Sequence, residues 1–443
     1  MPPSYPSFFS GKKVTLLGLG LLGRGVGDAA FLARHCAQLQ VTDMKSAEEL
    51  RPSLEALTPY DNISFTLGRN DASLFDAVDC VVKGNGVRLD HPCIERAREN
   101  GIPVYMSTAL FAQFSPIPLI GITGTRGKTT VTCMIAEILR RAGKKVLLGG
   151  NIRGVSTLAL LPEAASYDVG VLELDSWQLQ GFEDLKLSPH LSVFTTFYPD
   201  HMNYYDGAMD RYLFDKTAIF RHQKLEDTLF LSEQAAPFLQ KEQTEHSGAW
   251  ITVPPLPPTF GLQIPGAHNR LNGALAKAAS VRFGIGEEIA DAALRAFTGV
   301  EGRLHALGTY KDRLIYNDNN ATTQEATLAA LDSFSPEATV LIFGGADKGL
   351  PIDRLAETLV TRKIRCVLLA GTGSDRILPL LPTVPPRAAS MAEAVDLAFS
   401  LSKPRDTILL SPAFASFGLF QNEYDRNDQF VAEIKKLPGF SSL

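Results

Sequence analysis

Short apolar runs, most of them closed by a turn residue, alternate with longer segments of helical spacing from one end of the chain to the other. Val14–Leu17 runs into Gly18, and Leu39–Thr42 ends at Asp43. Further runs stand at Leu119–Thr123, Val169–Leu174, Leu191–Phe197, Val340–Phe343, Val367–Ala370 and Ile408–Leu410. Between them, Val131, Met134, Ile135, Ile138 and Leu139 recur at helical intervals and mark one face ready to pack on a sheet. The pattern predicts an α/β protein with mostly parallel sheets, because strands separated by amphipathic helices cross over before they pair. A second helical pattern spans His268–Phe283, so the proline cluster Pro254–Pro258 is expected to be a loop inside the central unit rather than a linker. No internal repeat of fixed period is present.

Length adds the domain count: 443 residues suggest three domains at roughly 150 residues each. The Pro-bearing stretch Ser115–Pro118 separates the first unit from the second, and the third begins near Gly299. Domains are therefore expected at 1–115, 116–298 and 299–443. The formal net charge of −5, with both signs mixed along the chain, argues against a nucleic-acid-binding surface. Five scattered cysteines (Cys36, Cys80, Cys93, Cys133, Cys366) form no C-x-x-C pair and favour a reducing compartment. The N-terminus lacks the apolar core of a signal peptide, and no run approaches the ~18 apolar residues of a membrane span. A cytoplasmic, soluble monomer with no membrane partner is the expectation.

The strongest chemical signal is Thr123-Gly124-Thr125-Arg126-Gly127-Lys128-Thr129-Thr130, set between a strand and a helix. Phosphate binding needs backbone N–H groups turned inward, a lysine for the phosphate charge and a hydroxyl for Mg²⁺. Gly124 and Gly127 would supply the loop, Lys128 the cation and Thr129 the metal hydroxyl. The strict eight-residue pattern would place glycine where Ile122 stands, so the match is to a shorter G-x-x-G-K-T form. A solvated lysine after an ordinary glycine turn is the bland alternative, and the strand–loop–helix context weighs against it.

A second glycine motif, Gly18-Leu19-Gly20-Leu21-Leu22-Gly23, follows the first strand, with Asp43 twenty residues beyond Gly23. Pyrophosphate on the helix N-terminus and an acid near a ribose are the usual use of this arrangement. The motif alone does not separate a nicotinamide cofactor from a nucleotide-diphosphate sugar. One diphosphate site beside one ATP site suggests a kinase or a ligase; an oxidoreductase would leave the phosphate loop unexplained. A UDP-sugar or ATP sensor would keep both loops but has no need of Glu173, which ends one strand, or of His201 and Lys216, which follow another.

With these loops in place, the remaining motifs resemble the Mur ligase family, in its glutamate-adding branch, over nearly the whole chain. They run through Gly149-Gly150-Asn151-Ile152, Glu173-Leu174-Asp175-Ser176-Trp177-Gln178-Leu179, Asp200-His201-Met202, Lys216, His268-Asn269 with Asn272, and Arg303. Asn317-Asp318, Ala321-Thr322, Gly344 to Lys348 and Leu410 to Phe417 complete the series. The resemblance implies a Rossmann-like N-terminal domain, a P-loop ATPase-like central domain and a Rossmann-like C-terminal domain. It implies an ATP-dependent amide ligase that activates UDP-N-acetylmuramoyl-L-alanine as an acyl phosphate and adds D-glutamate, with L-glutamate as the alternative, in peptidoglycan precursor synthesis.

Under that resemblance the catalytic set is Lys128, Glu173, His201, Lys216 and Arg303. ATP would be held by residues 124–130 (Gly124, Thr125, Arg126, Gly127, Lys128, Thr129, Thr130) with Asn272, Arg303 and Asp318. Two Mg²⁺ would sit on Thr129, Glu173, His201 and Lys216, the lysine carbamylated. The UDP substrate would meet Gly18, Gly20, Leu21, Leu22, Asp43, Asn151, Ser176 and Gln178; the incoming amino acid would meet Thr322, Lys348, Ser416 and Phe417. Because Arg303 and Asp318 lie beyond the central domain, the third domain is expected to close over ATP and exclude water. Three positions depart from the common family pattern: Arg126 stands for Asn, Asp175 for Ser, and Asn320 for the lysine of Asp-Ser-Lys-Ala-Thr. They leave the enantiomer of glutamate open. A folylpolyglutamate synthetase would share the second and third domains but not the N-terminal glycine motif.

Overall fold

The computed structural model describes residues 4–21, 23–240 and 247–442. Three sheets follow one another along the chain. The first holds β1 (Lys13–Leu17), β2 (Gln38–Asp43), β3 (Ile63–Leu67), β4 (Cys80–Lys83) and β5 (Val104–Met106), all parallel in the order β3-β2-β1-β4-β5. The second holds β6 (Leu119–Thr123), β7 (Val146–Gly150), β8 (Val169–Glu173), β9 (Leu191–Phe194), β10 (Thr228–Ser232) and β11 (Ala249–Val253), all parallel in the order β11-β10-β9-β6-β8-β7. The third holds β12 (His305–Tyr310), β13 (Arg313–Asn317), β14 (Thr339–Gly344), β15 (Arg365–Leu369), β16 (Arg387–Ala388), β17 (Thr407–Leu410) and β18 (Ser441–Ser442). Its order is β16-β15-β14-β17-β13-β12-β18, parallel except where β12 meets β13 and β18.

Central strands covered on both faces read as unbroken apolar runs, and β4, β6, β8, β9 and β10 are buried at every position. In the third sheet the two-residue period is visible: Val340 and Ile342 enter one core cluster, Leu341 and Phe343 the other. The helix Lys128–Arg141 buries Val131, Met134, Ile135, Ile138 and Leu139 completely, the face its spacing predicts.

By internal contacts the chain forms two compact units, Met1–Pro254 with Ala274–Asp291, and Pro255–Gly273 with Ala292–Leu443. The first unit holds two sheets over one continuous apolar cluster that runs from Phe9 through Leu39 and Leu172 to Leu231. By contacts the chain leaves the first unit between Pro254 and Pro255 and returns to it at Ala274. Leu256 N–H donates to Arg270 O (3.2 Å), on the opening turns of the helix Ala267–Arg282, and those turns count with the second unit. Among the described residues no helix is long and apolar enough to cross a membrane. All five cysteines are free.

Between the first two sheets, Ser156 Oγ donates to Asp28 Oδ1 (2.6 Å) and Arg24 Nε to Ile152 O (2.9 Å). Burial raises the Asp28 carboxyl to about 6, against the opposing pull of Ser156, Ser107 and Arg24. A folded value above the unfolded one means that the folded state holds its proton more tightly, so this stability is present at low pH and lost as pH rises from 3.8 through about 6. Asp28→Asn, a mimic of the protonated form, should therefore gain on the wild type by up to about 3 kcal/mol between pH 4 and pH 7.5. Urea midpoints of the two proteins across that range check it; parallel pH profiles would refute it.

Candidate active site

In each sheet two strands distant in sequence lie side by side (β1 with β4, β6 with β9, β14 with β17), and many of the candidate residues lie on the loops that leave these strands. In the first sheet, where β1 meets β4, Gly84 N–H donates to Leu17 O (2.8 Å). Gly18, Gly20 and Gly23 all hold positive φ, and Gly23 caps the helix Arg24–His35. Asp43 is buried, with Oδ2 accepting from Leu19 N–H (2.8 Å) and Gly20 N–H (2.9 Å) and Oδ1 from Lys45 N–H (2.9 Å). It braces the glycine loop, an engagement the spacing does not reveal. Leu21 is exposed, and Leu22 lies outside the described residues.

In the second sheet β6 runs directly into the phosphate loop. Gly124 sits at φ +132°, and a Cβ there would fall 2.1 Å from Thr195 Oγ1, so the loop tolerates only glycine at this point. Gly127, at φ +90°, caps the helix Lys128–Arg141. The segment after β9 clamps the loop: Thr125 N–H donates to Thr196 O (2.7 Å), Arg126 N–H to Thr196 Oγ1 (2.9 Å), and Thr195 Oγ1 donates to Thr123 O (3.1 Å). This clamp explains why β9 stops at Phe194 although the apolar run continues to Phe197. Lys128 Nζ lies over the loop carbonyls of Gly124 (3.2 Å) and Thr125 (3.3 Å). Thr129 and Thr130 occupy the first helical turn, with Thr130 the more buried.

Lys216 reaches the same loop from the helix Met209–Arg221. Its Nζ donates to Gly124 O (2.9 Å) and stands 4.8 Å from the Tyr212 ring centroid. Burial first, and Lys128 second, hold its ammonium well below the usual lysine range. Glu173 ends β8, buried, one strand from the loop and beside Asn151, whose N–H donates to Glu173 O (2.7 Å). His201 adopts a left-handed backbone (φ +55°), and its half-buried ring packs on Trp177 at 4.8 Å. Burial lowers the imidazole, with Asp200 opposing and Lys128 and Lys216 assisting. Ser176 is buried at the start of the helix Ser176–Asp184. Both ends of the Gln178 amide are engaged: Oε1 accepts from Asp175 N–H (3.2 Å), and Nε2 donates to Thr108 Oγ1 (2.9 Å). Among the described residues no three His, Cys, Asp or Glu side chains form a group that could hold a metal ion.

In the second unit, where β14 meets β17, Gly344 N–H donates to Pro412 O (2.9 Å). Asp318 is pinned by Leu304 N–H (3.0 Å) and Ser411 Oγ (2.9 Å), and burial raises it to about 7 against those bonds and the nearby Arg303. Arg303 Nε is buried without a hydrogen-bond partner, a donor suited to an anion. Lys348 Nζ donates to Thr322 Oγ1 (3.0 Å). Ser416 is buried and Phe417 is 61% exposed. Asn272, buried in the helix Ala267–Arg282, donates to Asn269 Oδ1 (3.1 Å).

Two family descriptions match this chain: the Mur ligase MurD-like N-terminal domain over residues 12–106 and the Mur ligase middle domain over 122–255. The UDP-N-acetylmuramoylalanine–D-glutamate ligase of Roseiflexus sp. is 33% identical over 95% of this chain and 98% of its own length. The chain belongs to the Mur ligase family. A relative of the same name from Streptococcus uberis is 32% identical over 97% and 98% of the two chains. The crystal structure of UDP-N-acetylmuramate-alanine ligase from Thermotoga maritima aligns with TM-score 0.60 at 20% identity, covering 96% and 99% of the chains. That of MurF ligase from the same organism, in complex with ADP, aligns with TM-score 0.60 at 15% identity, covering 97% of each. At such identity these two show the shared three-domain α/β fold.

The departures from the common family pattern now have local accounts. Asp175 caps the helix Ser176–Asp184 with a capping box, its Oδ1 accepting from Gln178 N–H (2.7 Å), a task that Asp and Ser both perform. Unlike Ser, it also carries a charge that bears on Lys216, His201 and Lys83. Arg126 pairs with Asp200 (3.2 Å). Asn320 N–H donates to Gly302 O (2.9 Å), beside Arg303.

Several residues escaped the sequence reading. Thr195 and Thr196 clamp the loop but belong to no motif. Gly25, where a Cβ would fall 2.0 Å from Leu19 O, keeps the helix Arg24–His35 against its glycine loop. Arg426 is fully buried, with Nε donating to Asn319 Oδ1 (2.8 Å) and Nη2 to Asn319 O (2.9 Å), and burial pushes it down to about 10. It lies in a helix far along the chain, so spacing offered no signal. Gly124→Ala is expected to weaken ATP binding at least about tenfold while the protein stays folded, because the added Cβ must displace Thr195 and distort the loop. Calorimetric titration with MgATP measures this; unchanged affinity would mean the loop does not hold the nucleotide.

Proposed function

We propose that this chain joins D-glutamate to UDP-N-acetylmuramoyl-L-alanine at the expense of ATP, as a cytoplasmic monomer acting in peptidoglycan precursor synthesis. The observation that carries the reading is the end-to-end match, at 32–33% identity, to relatives of that name. Domains at 1–115, 116–298 and 299–443 would hold the UDP substrate, ATP and the amino acid in turn. The glycine loop at Gly18, Gly20 and Gly23 fits a diphosphate at a helix N-terminus.

The alanyl carboxylate attacks the γ-phosphorus of ATP, ADP leaves, and an acyl phosphate results. The glutamate amine, once deprotonated, then attacks the acyl carbon, and phosphate departs as the amide forms. Lys128 and Arg303 neutralise charge on the transferred phosphoryl group, and backbone N–H groups of the loop orient it. Thr129, Glu173, His201 and Lys216 would hold Mg²⁺, a hard cation suited to a hydroxyl, a carboxylate and an imidazole. When bound, the metal would supply positive charge against the developing phosphoryl charge. The fit at Lys216 depends on its modification, since a bare ammonium repels a cation. Burial favours the neutral amine of Lys216, the form that reacts with CO₂, and the product is an anion. Asn272 and Asp318 would meet the nucleoside of ATP; Thr322, Lys348, Ser416 and Phe417 would receive glutamate.

Phosphate release from MgATP, with UDP-N-acetylmuramoyl-L-alanine and either D-glutamate, L-glutamate or no amino acid, tests the reaction. Release that requires the nucleotide substrate and D-glutamate is expected; a requirement for L-glutamate would revise the stereochemistry, and silence in protein that binds ATP would refute the ligase. Separately, protein equilibrated with ¹³C-bicarbonate should show a lysine carbamate resonance that Lys216→Arg lacks. Identical spectra would remove the modification from the scheme.

A further inference from the structure

Within the first unit a continuous path of contacts links the glycine loop at β1 to His201. The loop after β4 packs on it: a Cβ on Gly18 would lie 3.5 Å from Val87 Cγ2. Lys83, fully buried, holds that loop in place by donating from Nζ to Val87 O (3.0 Å). The next residue is Arg88. Its Nη1 donates to Tyr204 O (2.6 Å), its Nη2 meets Asp206 Oδ2 (3.0 Å), and its fork closes on both oxygens of Asp90 at 2.8 Å. The guanidinium carbon stands 5.2 Å from the Tyr204 ring centroid.

Tyr204 is tied to His201 twice. Its N–H donates to His201 O (2.8 Å), and its ring packs at 5.2 Å on Trp177, which itself packs at 4.8 Å on the His201 imidazole. His201 needs such support, because a non-glycine residue at φ +55° persists only where its surroundings impose it. The Arg88 side chain is 37% exposed and its acid partners more so, so these ion pairs contribute little to stability. What Arg88 supplies is direction: a fork held on both oxygens of Asp90 and aimed at the Tyr204 carbonyl.

We propose that Arg88 is a positioning residue that couples the diphosphate-binding loops to the 198–207 segment, so that engagement of the UDP substrate sets the His201 imidazole. The proposal rests on the function put forward above and adds a residue that no glycine or ligand motif contains.

The test combines steady-state kinetics with tryptophan emission. The chain has two tryptophans; Trp250 packs on Phe220 (5.1 Å) and gives a constant background, so a change on adding the UDP substrate without ATP reports Trp177. Arg88→Ala is expected to lower kcat about tenfold, leave the KM for ATP within about twofold, and abolish most of the emission change while calorimetry still detects bound UDP substrate. Asp206→Ala keeps the carbonyl contact and should leave kcat within about twofold. Arg88→Lys, which can reach the carbonyl but not form the fork, should fall between. A wild-type kcat and emission response in Arg88→Ala would overturn the proposal, as would lost thermal stability with kcat per folded molecule unchanged. If Arg88→Ala does not fold, the lysine variant decides: a reduced emission response supports the coupling and a full one ends it. Failure of the wild type to bind the UDP substrate would instead sink the proposed function, and this inference with it.

Discussion

A parallel sheet opens a crevice where its strand order reverses, because the loops leaving two neighbouring strands there turn to opposite faces. This chain uses that constraint three times. The glycine loop leaves β1 beside β4, the phosphate loop leaves β6 beside β9, and the Gly344 loop leaves β14 beside β17. Each crevice is held by backbone hydrogen bonds between the two departing loops. The candidate residues inherit their positions from strand order, and the helices between strands serve to enforce that order.

At the phosphate loop the constraint is tightest. Gly124 must approach Thr195 more closely than any side chain allows, and its carbonyl receives the buried Lys216. A lysine so placed gives up hydration, which favours its neutral form. Asp318 and Arg426 show the same effect in the second unit: each is buried, satisfied by backbone and neutral side chains, and shifted by desolvation. Such groups fix a loop in one geometry because any other arrangement leaves a polar group unpaired.

The architecture and the phosphate loop were legible because they depend on local pattern. Apolar runs, helical spacing, and glycines where a strand meets a helix are written in consecutive residues. Legibility failed where a long-range partner decides the outcome. The run Leu191–Phe197 looks like one strand, but Thr195 and Thr196 are drawn away to clamp residues more than sixty positions earlier. The hairpin between β12 and β13 turns at Lys311 and Asp312, both at positive φ without glycine, so no turn signal marked it.

The amino-acid order by itself determined which residues are candidates for chemistry: a loop that must be glycine, a lysine and hydroxyls after it, an acid at a strand end. Residue type sets what a side chain can donate, accept or ligate, and that needs no partner. Tertiary structure decided what each group is doing. It turned Asp43 inward to brace a loop, made Asp175 a helix cap whose charge bears on Lys216, and lowered Lys216 by burying it. Burial and hydrogen-bond partners come from residues distant in sequence, and these set protonation and orientation.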